Sequence, residues 1–319
     1  LFDATGDPPA PQRAAQPVAM EPGLTLRGVR ITNPHRVLWP EERVTKRDLA
    51  HYYDGVADWM LPHVVHRPLS LYRCPEGHEG DCWYQKHLGG ISTPHLRDAP
   101  VREHEGKEPY IALDGAAGLI TLAQLAVLEV HPWGSREDSV DRPDRLVFDL
   151  DPGPGVGWRQ LVTAARDLRA LLTDLGLEGF LKTSGGKGLH VVVPIARRGD
   201  WSDAKRFTAG VAKRMAERDP KLYTATIAAW AREGRVFIDY LRNVRGATCV
   251  APFSPRARPG AAVSAPLHWD ELDATPIVYT LRTMPRRLAM LRADPWSGFA
   301  ACRQSVTKAM QRAVGVAAR

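Results

Sequence analysis

The chain has 319 residues, 44% of them hydrophobic, a formal net charge of +7 and an isoelectric point near 9.4. That length allows one large or two modest domains with a proper core, and the basic balance suits a polyanionic partner. No apolar run reaches the roughly 18 residues of a membrane span, and no basic stretch followed by an apolar one marks a secretory signal, so membrane and secreted classes are set aside.

Residues 1–23 are rich in Pro, Ala and Gln and read as a flexible linker, as at the edge of a domain within a longer chain. Thr25 to Ile31 reads as a strand, and Asn33 and Arg36 follow it in a short polar stretch. Thr45 caps a helix, with Asp48 three residues on as a variant of the capping box. Leu49, Tyr52, Tyr53, Val56, Trp59 and Met60 give that helix an apolar face. Two short strands, residues 69–73 and 83–86, come next. Cys74, His78, Cys82 and His87 lie between and beside them, a density that suits zinc, although the spacings match no common finger. Four cysteines without framework spacing fit a reducing cytoplasm. Trp83 and Tyr84 offer flat faces that stack on any base, or else pack in a core. Residues 92–110 are polar, of mixed charge and long for a loop in a compact domain, which marks a functional loop. The apolar run from Thr121 ends in Leu128-Glu129-Val130-His131, where a single His reads by itself as structural.

Arg145 to Gly153 is an apolar strand carrying Asp149 and Asp151. Alternate strand residues share a face, so the two carboxylates project together and repel unless a cation lies between them. Oxygen ligands of this kind suit Mg²⁺ or Mn²⁺; the plainer reading is a polar strand end with Asp151 starting a turn. A helix with a Leu161, Leu168, Leu171, Leu172, Leu175 stripe follows, and Gly176 ends it. Lys182 to His190 is Gly-rich but is not a P-loop, because Leu181 stands where the first Gly belongs and Gly188 where Ser or Thr belongs. It reads as a β-hairpin tip whose N–H groups, with Ser184, Lys187 and His190, can hold a triphosphate; a plain tight turn uses the same glycines. Residues 202–218 form a helix with a basic, solvated face. Arg235 to Leu241 is a β-rich run with one carboxylate, Asp239, and Arg242 and Arg256 follow in a stretch rich in Arg, Pro and Gly. Residues 301–319 read as a terminal helix and tail.

Asp-x-Asp, then Ser-Gly-Gly-Lys-Gly-Leu-His, then a lone strand Asp, in this order, resembles the archaeo-eukaryotic primase superfamily. The closer resemblance is to the polymerase domain of bacterial DNA ligase D, an end-joining repair enzyme, and it covers about residues 24–300. Strands and helices mix without strict alternation, which points to an α+β domain. The resemblance implies the primase core: an RRM-like sheet packed with a second β-rich unit, the active cleft between them. It implies a two-metal nucleotidyl transferase that adds ribo- or deoxyribonucleotides to DNA 3′ ends and fills gaps during non-homologous end joining. Asp149, Asp151 and Asp239 would be catalytic and hold two Mn²⁺ or Mg²⁺ ions. Ser184, Gly186, Lys187, His190, Arg242 and Arg256 would face the phosphates of the nucleoside triphosphate. His131 would lie near its ribose, and Trp83 and Tyr84 against bases. Asn33, Arg36 and Lys46 fall where the family binds a DNA 5′-phosphate, and Arg36, in place of the usual Lys, can still grip phosphate. The loop at 92–110 falls where the family aligns two broken ends. The implied partners are gapped duplexes and DNA ends, ligase and nuclease modules of the same parent chain, and the Ku end-binding protein, in a bacterial cytoplasm at the nucleoid. Two other readings use parts of this set. A metal-dependent nuclease needs the same carboxylates but has less need of a triphosphate cradle, and a non-catalytic DNA-end binder would tolerate their loss.

Overall fold

A computed structural model describes residues 24–101 and 108–317. The linker assigned to residues 1–23, the middle of the expected end-aligning loop and the last two residues lie outside the described residues.

The first unit opens with two hairpins, β1 (Leu24–Leu26) with β2 (Val29–Ile31) and β3 (Val37–Trp39) with β4 (Val44–Thr45). Helices α1 (Lys46–Gly55) and α2 (Ala57–Val64) follow, then β5 (Leu69–Arg73), β6 (Trp83–Gln85), β7 (Leu96–Asp98), β8 (Ile111–Leu113), α3 (Ala116–Gln124) and β9 (Val127–Pro132). Its main sheet runs β6-β5-β8-β7, with β9 also antiparallel to β5. The second unit holds β10 (Arg145–Pro152), α4 (Trp158–Asp174), β11 (Phe180–Thr183), β12 (Leu189–Pro194), α5 (Trp201–Arg218), β13 (Tyr223–Thr224), β14 (Val236–Asp239) and β15 (Pro266–Leu267). Its sheet runs β13-β14-β10-β12-β11-β15, antiparallel except between β13 and β14. Short helices α6 (Met284–Met290) and α7 (Lys308–Ala313) come last. This is the expected α+β architecture. No helix among the described residues is long and apolar enough to cross a membrane.

Patterning with period two orients the second sheet. Leu146, Phe148 and Leu150 of β10 share a buried core with α4 and α5, and so do Val191 and Val193 of β12. Asp149, Asp151 and His190 therefore point to the opposite face, away from both helices. The first unit has a separate core around α1 and α3, which is completed from far along the chain by Ala251, Phe253, Val263, Leu281, Met284 and Leu288. Tyr52 of α1 seals this return by donating its hydroxyl to the Phe253 carbonyl at 2.7 Å, fully buried.

Thr45 caps α1 as expected, and Asp48 completes the capping box. The expected single strand at 25–31 is instead a hairpin, because Arg27 (φ 46°) and Gly28 (φ 80°) both take left-handed backbone between β1 and β2. The single helix expected through Met60 breaks at Val56, just after Gly55, a poor helix former. Both pieces still bury the apolar face, Leu49, Tyr53, Val56 and Met60 being inaccessible. The zinc reading of Cys74, His78, Cys82 and His87 does not hold: Cys74 and Cys82 form a disulfide, His87 Nδ1 pairs with the Pro109 carbonyl, and no cluster of possible ligands forms there among the described residues. The disulfide joins cysteines eight positions apart, a pairing that spacing alone did not announce.

Candidate active site

Four side chains make a row across the helix-free face of the second sheet. Asp149 stands opposite Asp239 on one side and His190 on the other, and His190 stands opposite Lys182. Asp151 follows two residues after Asp149, on the same face. Asp149, Asp151 and Asp239 can each offer an oxygen such that all three lie within 4.8 Å of one another. Asp149 and Asp239 are buried. Arg242 sits beside them, its Nε 3.4 Å from an oxygen of each. Asp239 Oδ1 also accepts the Leu241 N–H at 2.7 Å.

The carboxylates are not equivalent. Burial raises the Asp149 carboxyl, but the charge and proximity of His190, with Arg242 and Lys182, outweigh it and hold it below the usual range. Asp151 is pushed above that range by burial and by the charges of Asp149 and Asp239. Asp239 is raised by burial, which exceeds the opposing pull of the Leu241 N–H and Arg242. His190 Nε2 lies 3.2 Å from Asp149 Oδ1, but off the line of a hydrogen bond, and that buried oxygen has no hydrogen-bond partner. Three crowded carboxylates with one orphaned buried oxygen fit a divalent cation held by oxygen ligands.

The glycine turn between β11 and β12 forms one wall. Ser184 Oγ accepts the N–H groups of Gly186 and Gly188, each at 3.1 Å, which shapes the tip. Gly185 has φ 67°, and a Cβ there would meet Arg256 Cγ at 2.7 Å and the Ser264 nitrogen at 2.9 Å, so glycine is required by backbone and space together. Lys187 is exposed at the tip. Arg256 Nη1 donates to the Ser184 carbonyl at 2.6 Å, tying the return segment to the turn. Below the floor, the fully buried Lys182 donates to Ser264 Oγ at 2.7 Å, and burial lowers its ammonium to about 8. Cys249 Sγ lies 3.0 Å from His190 Nδ1.

The facing wall comes from the first sheet, through Tyr84 of β6 and His131 of β9. The space between is a cleft of about 460 Å³ lined also by Asp149, Asp151, Ser184 and Arg256. The expected residues His131, Ser184, Lys187, His190, Arg242 and Arg256 thus meet around one cavity, and Gly186 sits in its glycine wall. Trp83 does not join them. Neighbouring strand residues face opposite ways, so Tyr84 lines the cleft while Trp83 is covered by Arg73 at 5.3 Å. Neither aromatic is core: they are 45% and 54% exposed. A larger groove of about 920 Å³ runs past Arg67, Asp144 and Trp296 and contains none of the three carboxylates.

Asn33, Arg36 and Lys46 form a second group. Arg36 N–H bonds to the Asn33 carbonyl at 3.0 Å, and Lys46 N–H to the Arg36 carbonyl at 2.8 Å. Asn33 takes left-handed backbone (φ 49°), which Asn tolerates well. Arg36 pairs with the exposed Glu76 at 2.7 Å. Lys46 is buried and has no acidic partner among the described residues; burial, then Arg36 and Arg73, lower its ammonium to about 8.

Three residues of the cleft region escaped sequence reasoning: Lys182, Glu129 and Arg232. Glu129 carried a readable signal, since it alternates with His131 on one strand as Asp149 does with Asp151.

The family description for the LigD primase-polymerase domain matches residues 45–296. The chain belongs to the LigD primase-polymerase family. The multifunctional non-homologous end joining protein LigD of Pseudomonas aeruginosa is 37% identical over 320 residues, covering 98% of this chain and 38% of that protein. LigD of Mycolicibacterium smegmatis is 40% identical over 246 residues, covering 76% and 32%. The chain therefore spans only about a third of the length of these curated LigD relatives. Among solved structures, the polymerase domain of Mycobacterium tuberculosis ligase D in complex with DNA matches with a TM-score of 0.81 at 37% identity, over 86% of this chain and 98% of that one. The fold is thus the archaeo-eukaryotic primase fold of the LigD polymerase domain.

Proposed function

We propose that this domain, about residues 24–300, is a two-metal nucleotidyl transferase that adds ribo- or deoxyribonucleotides to DNA 3′ ends and fills gaps in non-homologous end joining. The observation that carries this reading is the placement of Asp149 and Asp151 on the floor of a cleft, clustered with Asp239, while the walls bring Ser184, Lys187 and Arg256 toward the same space. Asp149, Asp151 and Asp239 would hold Mn²⁺ or Mg²⁺, which when bound lower the pKa of the primer 3′-hydroxyl and neutralise the leaving pyrophosphate. The Ser184 hydroxyl accepts two backbone N–H groups and keeps its own proton to donate to a phosphate oxygen. Lys187, His190, Arg242 and Arg256 would balance triphosphate charge, and Tyr84 would stack on a base. Asn33, Arg36 and Lys46 would receive a downstream 5′-phosphate, where the buried Lys46, lacking a carboxylate partner, supports anion capture. Gapped duplexes, Ku and ligase and nuclease modules in a longer parent chain are the proposed partners.

A nuclease would use the same floor, but a cleavage site has no use for cations arranged beyond the scissile phosphate. Primer extension with each nucleotide, with and without Mn²⁺, separates the two. Wild type should lengthen the primer, Asp149→Ala should lose at least about a hundredfold in rate, the order expected when a charge-stabilising group is removed, and Arg256→Ala should raise KM for nucleotide more than the Kd for DNA. Undiminished extension by Asp149→Ala, or shortening of the labelled strand by wild type, would sink the proposal.

A further inference from the structure

Glu129 sits behind the cleft, 4% exposed, and engages two of its residues at once. Its Oε1 accepts the Ala257 N–H at 2.9 Å, and its Oε2 accepts from His131 Nε2 at 2.8 Å and faces Arg256 Nε at 3.0 Å. Arg256 extends this chain to the Ser184 carbonyl of the glycine turn. One carboxylate in the first sheet therefore holds a ring on its own strand and a guanidinium that spans to the second sheet.

The carboxylate also decides where the His131 proton sits. An ionised carboxylate only accepts, so Nε2 must carry the hydrogen. Burial drives the His131 imidazole below its usual pKa, against the pull of Glu129, so the ring is neutral and Nδ1 has a lone pair. Among the described residues nothing donates to that nitrogen, and the ring lines the cleft with Tyr84 edge-on at 5.5 Å. An acceptor on this wall can take a hydrogen bond from a sugar hydroxyl. A ribonucleotide has one at its 2′ carbon, and a deoxyribonucleotide does not.

We propose that Glu129 is a positioning residue for the incoming nucleotide: it fixes His131 as an acceptor for the 2′-hydroxyl and holds Arg256 on the phosphate side, so that one buried carboxylate sets both sugar preference and nucleotide affinity. The inference rests on the polymerase reading above. Glutamine at 129 keeps the size and can still accept the Ala257 N–H. It lacks the charge that faces Arg256, and its amide can donate as well as accept, which leaves the His131 tautomer unspecified.

The experiment measures kcat and KM for a ribonucleotide and the matching deoxyribonucleotide on one primer–template, with thermal unfolding of each protein. Wild type should prefer the ribonucleotide. Glu129→Gln should raise nucleotide KM roughly 10- to 100-fold, the range for losing one charge-assisted contact, with DNA affinity and kcat changing less. Its ratio of ribo to deoxy kcat/KM should fall to near unity. His131→Phe, which keeps a ring against Tyr84, should lose the same ratio with a smaller rise in KM. A wild type that adds no nucleotide refutes the polymerase reading itself. A wild type that extends primers without sugar preference, or a Glu129→Gln enzyme with unchanged KM and ratio, overturns this inference alone. Should Glu129→Gln not fold, a wild-type ratio in His131→Phe overturns it by itself.

Discussion

Lys46 shows how one buried charge ties recognition to pH. Burial first, then the neighbouring charges of Arg36 and Arg73, lower its ammonium from 10.5 to about 8. The charged form is the one that attracts phosphate, so its contribution is complete below that value and lost as pH rises through it. A terminal phosphate is already a dianion across this range, its second pKa being near 6. The preference for a gapped duplex with 5′-phosphate over one with 5′-hydroxyl should therefore be largest near pH 7 and shrink by about pH 10 to the part that Arg36 sustains, with an inflection at or above about 8. A bound phosphate favours the ammonium and can only move the inflection upward. Lys46→Arg should hold its preference flat over the same span, because a guanidinium does not deprotonate there. A wild-type preference that does not change with pH would remove Lys46 from the phosphate pocket.

At the scale of the element, the glycine turn between β11 and β12 leaves little freedom. Gly185 and Gly186 are adjacent but not alike. A Cβ at 185 meets backbone at 2.9 Å in a left-handed conformation, whereas one at 186 meets only the end of the Arg258 side chain, at 2.7 Å. Gly185→Ala should cost about 1–3 kcal/mol of stability and raise nucleotide KM, since the turn carries Ser184 and braces Arg256. Gly186→Ala should unfold within a degree or two of wild type. Equal melting temperatures for the two variants would show that the turn yields more easily than its contacts suggest. This element was legible in the sequence because its signals are local: a glycine run between two β-rich stretches, and Asp149 with Asp151 two positions apart. Thr45 and Asp48 were legible for the same reason. What the sequence hid is register. That Asp149 faces Asp239 and His190 depends on how β10 pairs with two distant strands, and no local pattern states it. Lys182 and Glu129 were hidden for a related reason: each is a charged residue inside an apolar run, and only the fold shows which charged or polar group meets it. The break at Val56 turned on a single glycine within otherwise continuous helical spacing.

The whole molecule is joined more tightly than its two sheets suggest. Phe253, which lies between β14 and β15, and Leu288, which follows β15, are buried in the core of the first unit, and the Tyr52 hydroxyl anchors that return. The two units should then unfold in one cooperative transition, monitored alike by near- and far-UV circular dichroism. Tyr52→Phe leaves the buried Phe253 carbonyl without its donor and should lower stability by about 1–3 kcal/mol without splitting the transition. Two resolved transitions in wild type would mean that the return segment is peripheral to the first core.

The same return segment has a consequence for biosynthesis. A ribosome delivers β1 through β9 well before Phe253, Met284 and Leu288, by roughly 6 to 30 seconds at about 5–20 residues per second. Until those residues emerge, the nascent first sheet exposes the apolar surface that they later cover. The wall that carries Tyr84 and His131 is therefore completed late in translation, by the stretch of chain that also supplies Arg256.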